Sequence, residues 1–219
     1  MAVDEKSIKE AIEQLKKDSK KRNFTQTFDF IINLKNLDFK KPEQQIDLYV
    51  QLHYSKGRPS KICALAGPEL QPQAEKIFEK TIPQHEFQNF SKDKKIAKKL
   101  AGEFNFFVAQ ANIMPQIATA FGKVFGPKRK MPNPKAGCVV PPNANLKPLY
   151  DKLQKTVRLY AKEKPLIQVP VGSESMDEKE IIDNVKSIYD QLLHHLPLEK
   201  NNIKNVMLKL TMSKPVIIK

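Results

Sequence analysis

The sequence predicts an α/β protein of two domains, one of which is built from both ends of the chain. At the N-terminus a helical pattern precedes two strand patterns, and at the C-terminus a strand, a helix and a strand follow one another. Between them, short apolar runs alternate with helical runs. These observations predict a split α+β domain from residues 1–66 and 157–219 and an inserted α/β domain at residues 67–156.

The N-terminal part is predicted to form a helix and two strands. The helix has one apolar face made of Ile8, Ala11, Ile12 and Leu15. Two alternating runs follow, Phe28, Phe30, Ile32 and Leu34 in the first and Ile46, Leu48, Val50 and Leu52 in the second. Because only the turn-like segment DFKKPEQ separates the two runs, we expect these strands to pair with each other.

The C-terminal part is predicted to form two more strands and a helix, which would complete the domain. LIQVPV predicts a strand, and the last strand alternates at Val206, Leu208, Leu210 and Met212. The helix between them has apolar positions at Ile181, Ile182, Val185, Ile188, Tyr189 and Leu192. One helix and two strands are a marginal domain on their own, so we expect both ends to share one core.

The middle of the chain has the pattern of βα units. KICALA, NFFVAQ and AGCVV are short apolar runs, and helical patterns lie between and after them. This alternation is typical of a parallel sheet covered by helices on both faces, which makes three layers. The chain would cross between domains near Ala66-Gly67 and Thr156-Val157, and two crossings without a long linker indicate a hinge.

The charge balance favours a polyanionic partner. Lys and Arg number 38 against 24 Asp and Glu, a formal net charge of +14. Such an excess favours nucleic acid over a membrane. The sequence has no apolar run of the roughly 18 residues that a membrane span needs and no signal-peptide core, so we expect a cytoplasmic protein that does not bind membranes.

The sequence does not predict an enzyme, a cofactor or a metal site. Neither GxGxxG nor GxxxxGK[ST] occurs, and no Ser lies in a GxSxG elbow. Cys63 and Cys138 lie in apolar strand contexts and are expected to be buried thiols. Adjacent His194 and His195 would point about 100° apart on a helix, which does not suit one metal ion.

Basic segments are the remaining candidates for function. The loop from Gly126 to Gly137, GPKRKMPNPKAG, holds cations between prolines that restrict the backbone. Rigidity lowers the entropic cost of presenting a fixed array of cations to phosphates. We therefore predict a secondary basic surface consisting of Lys20, Lys21, Arg22, Lys128, Arg129, Lys130 and Lys135.

Three motifs resemble the ribosomal protein L1 family, the stalk protein of the large subunit beside the tRNA exit site. They are FGPKRKMPNPKAG, RNFTQTFDFIINL and LTMSKPV, and VPVG with its following helix agrees as well. The residues of the second motif resemble those of archaeal members of the family. The resemblance implies a split domain from both termini and a Rossmann-like insert, in agreement with the pattern above.

The resemblance also implies partners. They are a helical junction in large-subunit rRNA, a mimic of that junction in the protein's own mRNA that permits translational repression, and the exit-site tRNA. The resemblance further implies that the protein is located on the large ribosomal subunit and is a monomer when free. Carried over by motif, the RNA contacts are Phe24, Gln26, Thr27, Asp29, Thr211, Met212 and Ser213. Uncharged Thr and Met can read the shallow groove and the 2′-hydroxyls of folded RNA.

One residue departs from the family pattern. Ser213 stands where the family usually has Gly after Thr-Met, which would cost about 1 kcal/mol if the turn required a positive φ. We expect the proline loop to fix the shape of the insert and to present its cations either to a secondary, less specific RNA surface or to the face opposite the other domain. The alternative function is a nucleotide-binding enzyme that uses the Rossmann-like insert.

Overall fold

The structure is a computed structural model that describes residues 4–20 and 22–218, apart from the side chain of Lys92. The described helices and strands, in chain order, are α1 (Glu5–Asp18), β1 (Thr27–Leu34), β2 (Ile46–Gln51), β3 (Ile62–Ala66), α2 (Gln71–Ile77), β4 (Lys80–Pro83), α3 (Phe87–Lys92), α4 (Lys94–Glu103), β5 (Phe106–Gln110), α5 (Met114–Phe125), β6 (Val139–Val140), α6 (Leu146–Gln154), β7 (Thr156–Ala161), β8 (Leu166–Ser173), α7 (Glu178–His195), β9 (Ile203–Leu210) and β10 (Val216–Ile217). None of the described helices combines the length and apolar composition that a bilayer crossing requires.

The chain forms two compact units, the terminal unit at Met1–Pro59 and Lys155–Lys219 and the inserted unit at Ser60–Gln154. These bounds differ from the expected crossings near residues 66 and 156. The reason is strand pairing: β3 pairs in parallel with β4 and β5 and so belongs to the insert. At the other crossing, Thr156 already pairs with Gln51 in the terminal unit.

The main sheet of the terminal unit is antiparallel, with the strand order β10-β9-β1-β8. The expected pairing of β1 with β2 is wrong. β1 lies between two strands from the other end of the chain, and β2 pairs with β7 in a separate two-stranded sheet. A central strand suits β1, because six of its eight residues are buried, including Ile31 on the face opposite to the predicted apolar stripe.

The core of the terminal unit lies on one face of this sheet. The predicted stripe of α1 is buried, with Ile8 and Ile12 fully enclosed, and the alternating Phe28, Phe30 and Ile32 of β1 join the same cluster. The predicted apolar face of α7 also packs here, although Ile182 is only partly buried. Both ends of the chain therefore share one core, as their complementary patterns predict.

The two-stranded sheet of β2 and β7 has an ion pair between aromatic rings. The Arg158 guanidinium lies 5.3 Å from the Tyr49 ring centroid and 5.2 Å from that of Tyr160. It donates to both carboxylate oxygens of Asp47, at 2.8 and 3.0 Å. Burial alone would raise the pKa of Asp47, but hydrogen bonds from Arg158 and Lys162 lower it. This cluster stabilises a strand pair that would otherwise be marginal.

The inserted unit has a parallel sheet with the strand order β4-β3-β5-β6. One face packs against α3, α4 and α5 around Phe107, Phe121 and Phe125. The alternate residues Ile62, Ala64 and Val108 are buried on the other face. There α2 and α6 contact each other, and α2 contacts β3. Helices on both faces confirm the predicted three-layer α/β fold.

Both cysteines lie in the inserted unit as free, buried thiols. Burial raises the pKa of Cys63 and of Cys138 to about 12. Since the thiolate is the reactive form of cysteine, neither residue has the properties of a nucleophile.

A buried asparagine joins two neighbouring turns at one end of the terminal unit's main sheet. Asn202 is fully buried. Its Oδ1 accepts a hydrogen bond from the Leu198 N–H at 2.7 Å, and its Nδ2 lies 3.2 Å from the carbonyl oxygens of both Lys35 and Asn36. The side chain thus connects the turn after β1 to the turn before β9.

We expect Asn202→Ala to lower the free energy of unfolding by about 2 to 3 kcal/mol, because it leaves backbone groups without partners. The matched control is Asn201→Ala next to it, whose side chain is exposed. Chemical denaturation of the three proteins measures the difference. An equal effect of both substitutions would contradict this role of Asn202.

Candidate nucleic-acid interface

The predicted contact residues from both ends of the chain meet at one corner of the terminal unit. The antiparallel register places Phe28 opposite Leu210, so the segment before β1 lies beside the turn after β9. The hydroxyl of Thr211 closes this contact. It accepts a hydrogen bond from the Thr27 N–H at 3.1 Å and donates to the Thr27 carbonyl at 3.3 Å. We call residues 24–27 and 211–214 the terminal corner.

Gln26 fixes the terminal corner from inside. Its side chain is buried, with 1% of its surface exposed. The amide oxygen accepts from the Met212 N–H at 3.2 Å, and the amide nitrogen donates to the Ser19 hydroxyl at 2.7 Å. Three segments are therefore held together: the end of α1, the start of β1 and the closing turn.

The closing turn depends on Ser213. Its N–H donates to the Leu210 carbonyl at 3.1 Å, which closes a four-residue turn. Its hydroxyl accepts from the Leu210 N–H at 2.8 Å, so the side chain caps the end of β9.

The segment after β8 forms another side of the terminal corner. The Glu174 N–H donates to the Gln26 carbonyl at 2.9 Å, and the Gln26 N–H lies 3.3 Å from a Glu174 carboxylate oxygen. The Ser173 and Ser175 hydroxyls are 3.0 Å apart beside it. Glu174 was not among the residues predicted from the sequence, because its position follows from the pairing of Thr27 with Ser173.

Two large apolar side chains reach outward from the terminal corner. Phe24 is 46% exposed and Met212 is 60% exposed. Thr25 and Lys214 are exposed beside them. In contrast, Gln26 and Thr27 are buried. The predicted set therefore divides into residues that can touch a ligand and residues that position them.

Asp29 extends the surface onto the outer face of the main sheet. It lies between Pro170 and Lys209 in the register. The Gln168 amide donates to its carboxylate at 3.2 Å. Because the neighbouring Phe28 and Phe30 point into the core, Asp29 points away from it. A polar face with Gln168 and Lys209 thus adjoins the terminal corner.

The predicted secondary basic surface is divided between the two units. Lys20 and Arg22 are exposed beside the terminal corner, and Lys21 lies outside the described residues. Lys128, Arg129, Lys130 and Lys135 belong to the inserted unit. The described cations of the predicted basic surface therefore belong to two different units.

The proline loop of the insert anchors the end of α4. The Lys128 ammonium donates to the Lys98 carbonyl at 2.9 Å, and the Lys130 ammonium donates to the Asn105 carbonyl at 3.1 Å. Gly137 has a φ of +75°, which favours glycine. Arg129 and Lys135 remain exposed. Fixing the shape of the insert is therefore one role of the loop that the hydrogen bonds support.

The family model for "Ribosomal protein L1p/L10e family" matches residues 15–214, which include the terminal corner and the proline loop. The chain belongs to this family. "Large ribosomal subunit protein uL1" of Methanothermococcus thermolithotrophicus is 39% identical over 216 residues, 99% of each chain. The proteins of the same name from Thermococcus kodakarensis and Nanoarchaeum equitans are 36% and 40% identical, over 99% and 94% of this chain and 98% of theirs.

Membership in the ribosomal protein L1p/L10e family confirms the resemblance seen in the motifs and their archaeal type. The relatives are named as proteins of the large ribosomal subunit and not as enzymes. The alternative of a nucleotide-binding enzyme is therefore not supported.

The motif resemblance implied glycine where this chain has Ser213, and the structure explains why serine fits. Among the described residues, the non-glycine residues with positive φ are Asn36, Arg129 and Glu199. Ser213 is not one of them, so the strain expected for a positive φ does not arise. Its hydroxyl instead contributes the cap on Leu210 that glycine could not provide.

Removal of the Thr211 hydroxyl should destabilise the terminal unit. We expect Thr211→Val, which keeps the shape of the side chain, to lower the free energy of unfolding by about 1 to 2 kcal/mol, because the Thr27 N–H loses its partner. Thr25→Val is the matched control on the exposed side and should change stability by less than about 0.5 kcal/mol. Denaturant titration measures both, and an unchanged stability of Thr211→Val would show that this hydroxyl does not hold the terminal corner.

Proposed function

We propose that this protein is a structural component of the large ribosomal subunit that binds large-subunit rRNA through the terminal corner. The observation that carries the proposal is the hydrogen-bonded frame of Gln26, Thr211 and Glu174, which holds the exposed Phe24 and Met212 in place. Family membership and the names of the relatives support the ribosomal assignment.

The chemistry of the terminal corner suits a folded RNA. Phe24 offers an aromatic side chain for a base to stack on, and Met212 offers an apolar contact for ribose. Backbone groups around the closing turn and the polar outer face near Asp29 can donate and accept hydrogen bonds. Exposed Lys20 and Arg22 lie nearby for phosphates, and such contacts add affinity but carry no sequence information.

The position on the ribosome and the regulatory role are finer parts of the same proposal. We propose that the rRNA site is a helical junction in the mobile stalk beside the tRNA exit site, with exit-site tRNA as a further partner. An mRNA segment of the protein's own transcript that imitates this junction would occupy the same terminal corner. Excess free protein, as a monomer, would then repress its own translation.

Substitution of the exposed apolar side chains should weaken RNA binding without unfolding the protein. We expect Phe24→Ala and Met212→Ala each to reduce affinity for a stalk rRNA fragment, with a loss of about 1 to 3 kcal/mol for the aromatic residue. Thermal stability should stay nearly unchanged because both side chains are largely exposed. Filter binding together with a melting curve measures both quantities.

Leu198→Ala is the matched control, since Leu198 is an exposed apolar residue of the same unit, 55% accessible. It should bind rRNA as the unmodified protein does. A fragment of the protein's own mRNA should compete with rRNA, and both RNAs should lose affinity for Phe24→Ala by similar factors. Full rRNA affinity of Phe24→Ala and Met212→Ala would contradict the proposed interface, whereas failure of the mRNA alone to compete would contradict only the repressor role.

A further inference from the structure

A cleft of about 640 Å³ lies on the inserted unit, away from every residue assigned above. It is lined by the segments that follow β3 and β4 and by parts of α3 and α5. These segments meet at the carboxyl edge of the parallel sheet, where doubly wound α/β proteins bind ligands. The volume is in the range of small-molecule sites.

The lining of this cleft is mostly polar, and among the described residues His85 is its one ionisable side chain. Four glutamine amides reach it, those of Gln71, Gln84, Gln88 and Gln116. Within the described part of the chain, the lining contains no Lys, Arg, Asp or Glu. Apart from His85, the site offers uncharged donors and acceptors, so it suits a neutral ligand. It also agrees with the absence of a glycine-rich phosphate loop in the sequence.

Two hydrogen-bonded contacts hold the cleft in shape. The Gln84 amide donates to the Gln116 amide oxygen at 2.8 Å, which joins the segment after β4 to α5. At the end of β5, buried Gln110 accepts from the Gly67 N–H at 3.0 Å and donates to Glu69 at 2.8 Å. A Cβ on Gly67 would come within 2.6 Å of the Gln110 oxygen, so a larger residue there would displace the Gln110 amide from this position.

We propose that this cleft binds a nucleobase, with adenine preferred, presented by a free nucleoside or by an unpaired nucleotide of an RNA strand. A carboxamide matches the donor and acceptor edge of adenine. A glutamine amide has two donor hydrogens and an oxygen with two lone pairs, so Gln84 and Gln116 retain bonding capacity beyond their mutual contact. Phe87, Ala120 and Pro68 supply the apolar part of the lining for a flat ring. Only the RNA source of the base rests on the proposed function.

The test titrates the full-length protein with adenosine, with AMP and with single-stranded oligoadenylate, and follows the glutamine side-chain amides by NMR. We expect adenosine to shift amide signals of the cleft in a saturable manner. AMP should bind no more tightly than adenosine, because the described lining contains no Lys or Arg for the phosphate. An oligoadenylate that binds more tightly than adenosine would identify an RNA strand as the source, and an equal or weaker one would identify the free nucleoside.

Gln84→Leu combined with Gln116→Leu should reduce the affinity for adenosine by about tenfold or more. Gln14→Leu, an exposed glutamine on α1, is the matched control and should have no effect. Absence of a saturable response in the unmodified protein, or an equal response in the double variant, would overturn the inference. The same samples are also assayed with the stalk rRNA fragment. An unmodified protein that binds this rRNA but not adenosine would reject the cleft as a nucleobase site, and one that binds adenosine but not this rRNA would reject the proposed function.

Discussion

The position of β1 between β8 and β9 is the constraint on which the rest of the terminal unit depends. This strand comes from the N-terminal segment, and both its neighbours come from the C-terminal segment. The pairing brings Gln26 next to Glu174 on one side and next to Met212 on the other. Because β1 and its two neighbours are far apart in the sequence, the chain leaves the terminal unit after β2 and returns at β7. The inserted unit lies between these two strands in the sequence. The terminal corner is thus a consequence of sheet order.

Residues of the terminal corner have two different tasks. Gln26, Thr211 and Ser213 use their side chains on backbone groups of neighbouring segments. Phe24 and Met212 are held outward by this frame. Burying the polar groups against each other stabilises the geometry, and exposing the apolar groups leaves surface for a partner. Substitutions in the first set should therefore change stability, and those in the second should change binding.

Periodic patterns predicted the elements well, since burial of one face imposes a spacing that the sequence displays. The stripe of α1 and the alternation of β1 are examples. Pairing was harder: β1 and β2 both alternate, and alternation does not specify a partner. Gln26 and Thr27 were predicted as RNA contacts from the family motif, and their burial becomes visible only when the segment before β1 lies beside the closing turn. Lys128 and Lys130 were predicted as part of a basic surface from their charge, and the hydrogen bonds of their ammonium groups to backbone carbonyls become visible only in the folded insert.

We propose that the terminal corner recognises RNA, and not the inserted unit, whose residues 60–154 hold 15 Lys and Arg against 7 Asp and Glu. Residues 60–154 can be replaced by a short Gly-Ser linker, since Leu52 and His53 already bond to Lys155 at this crossing. Binding of this variant to the stalk rRNA fragment and to an unrelated duplex, at two salt concentrations, is the most direct test. The account predicts retained discrimination with a salt slope shallower by about 0.7 to 0.9 per lost phosphate contact. A folded variant that binds both RNAs equally would contradict it.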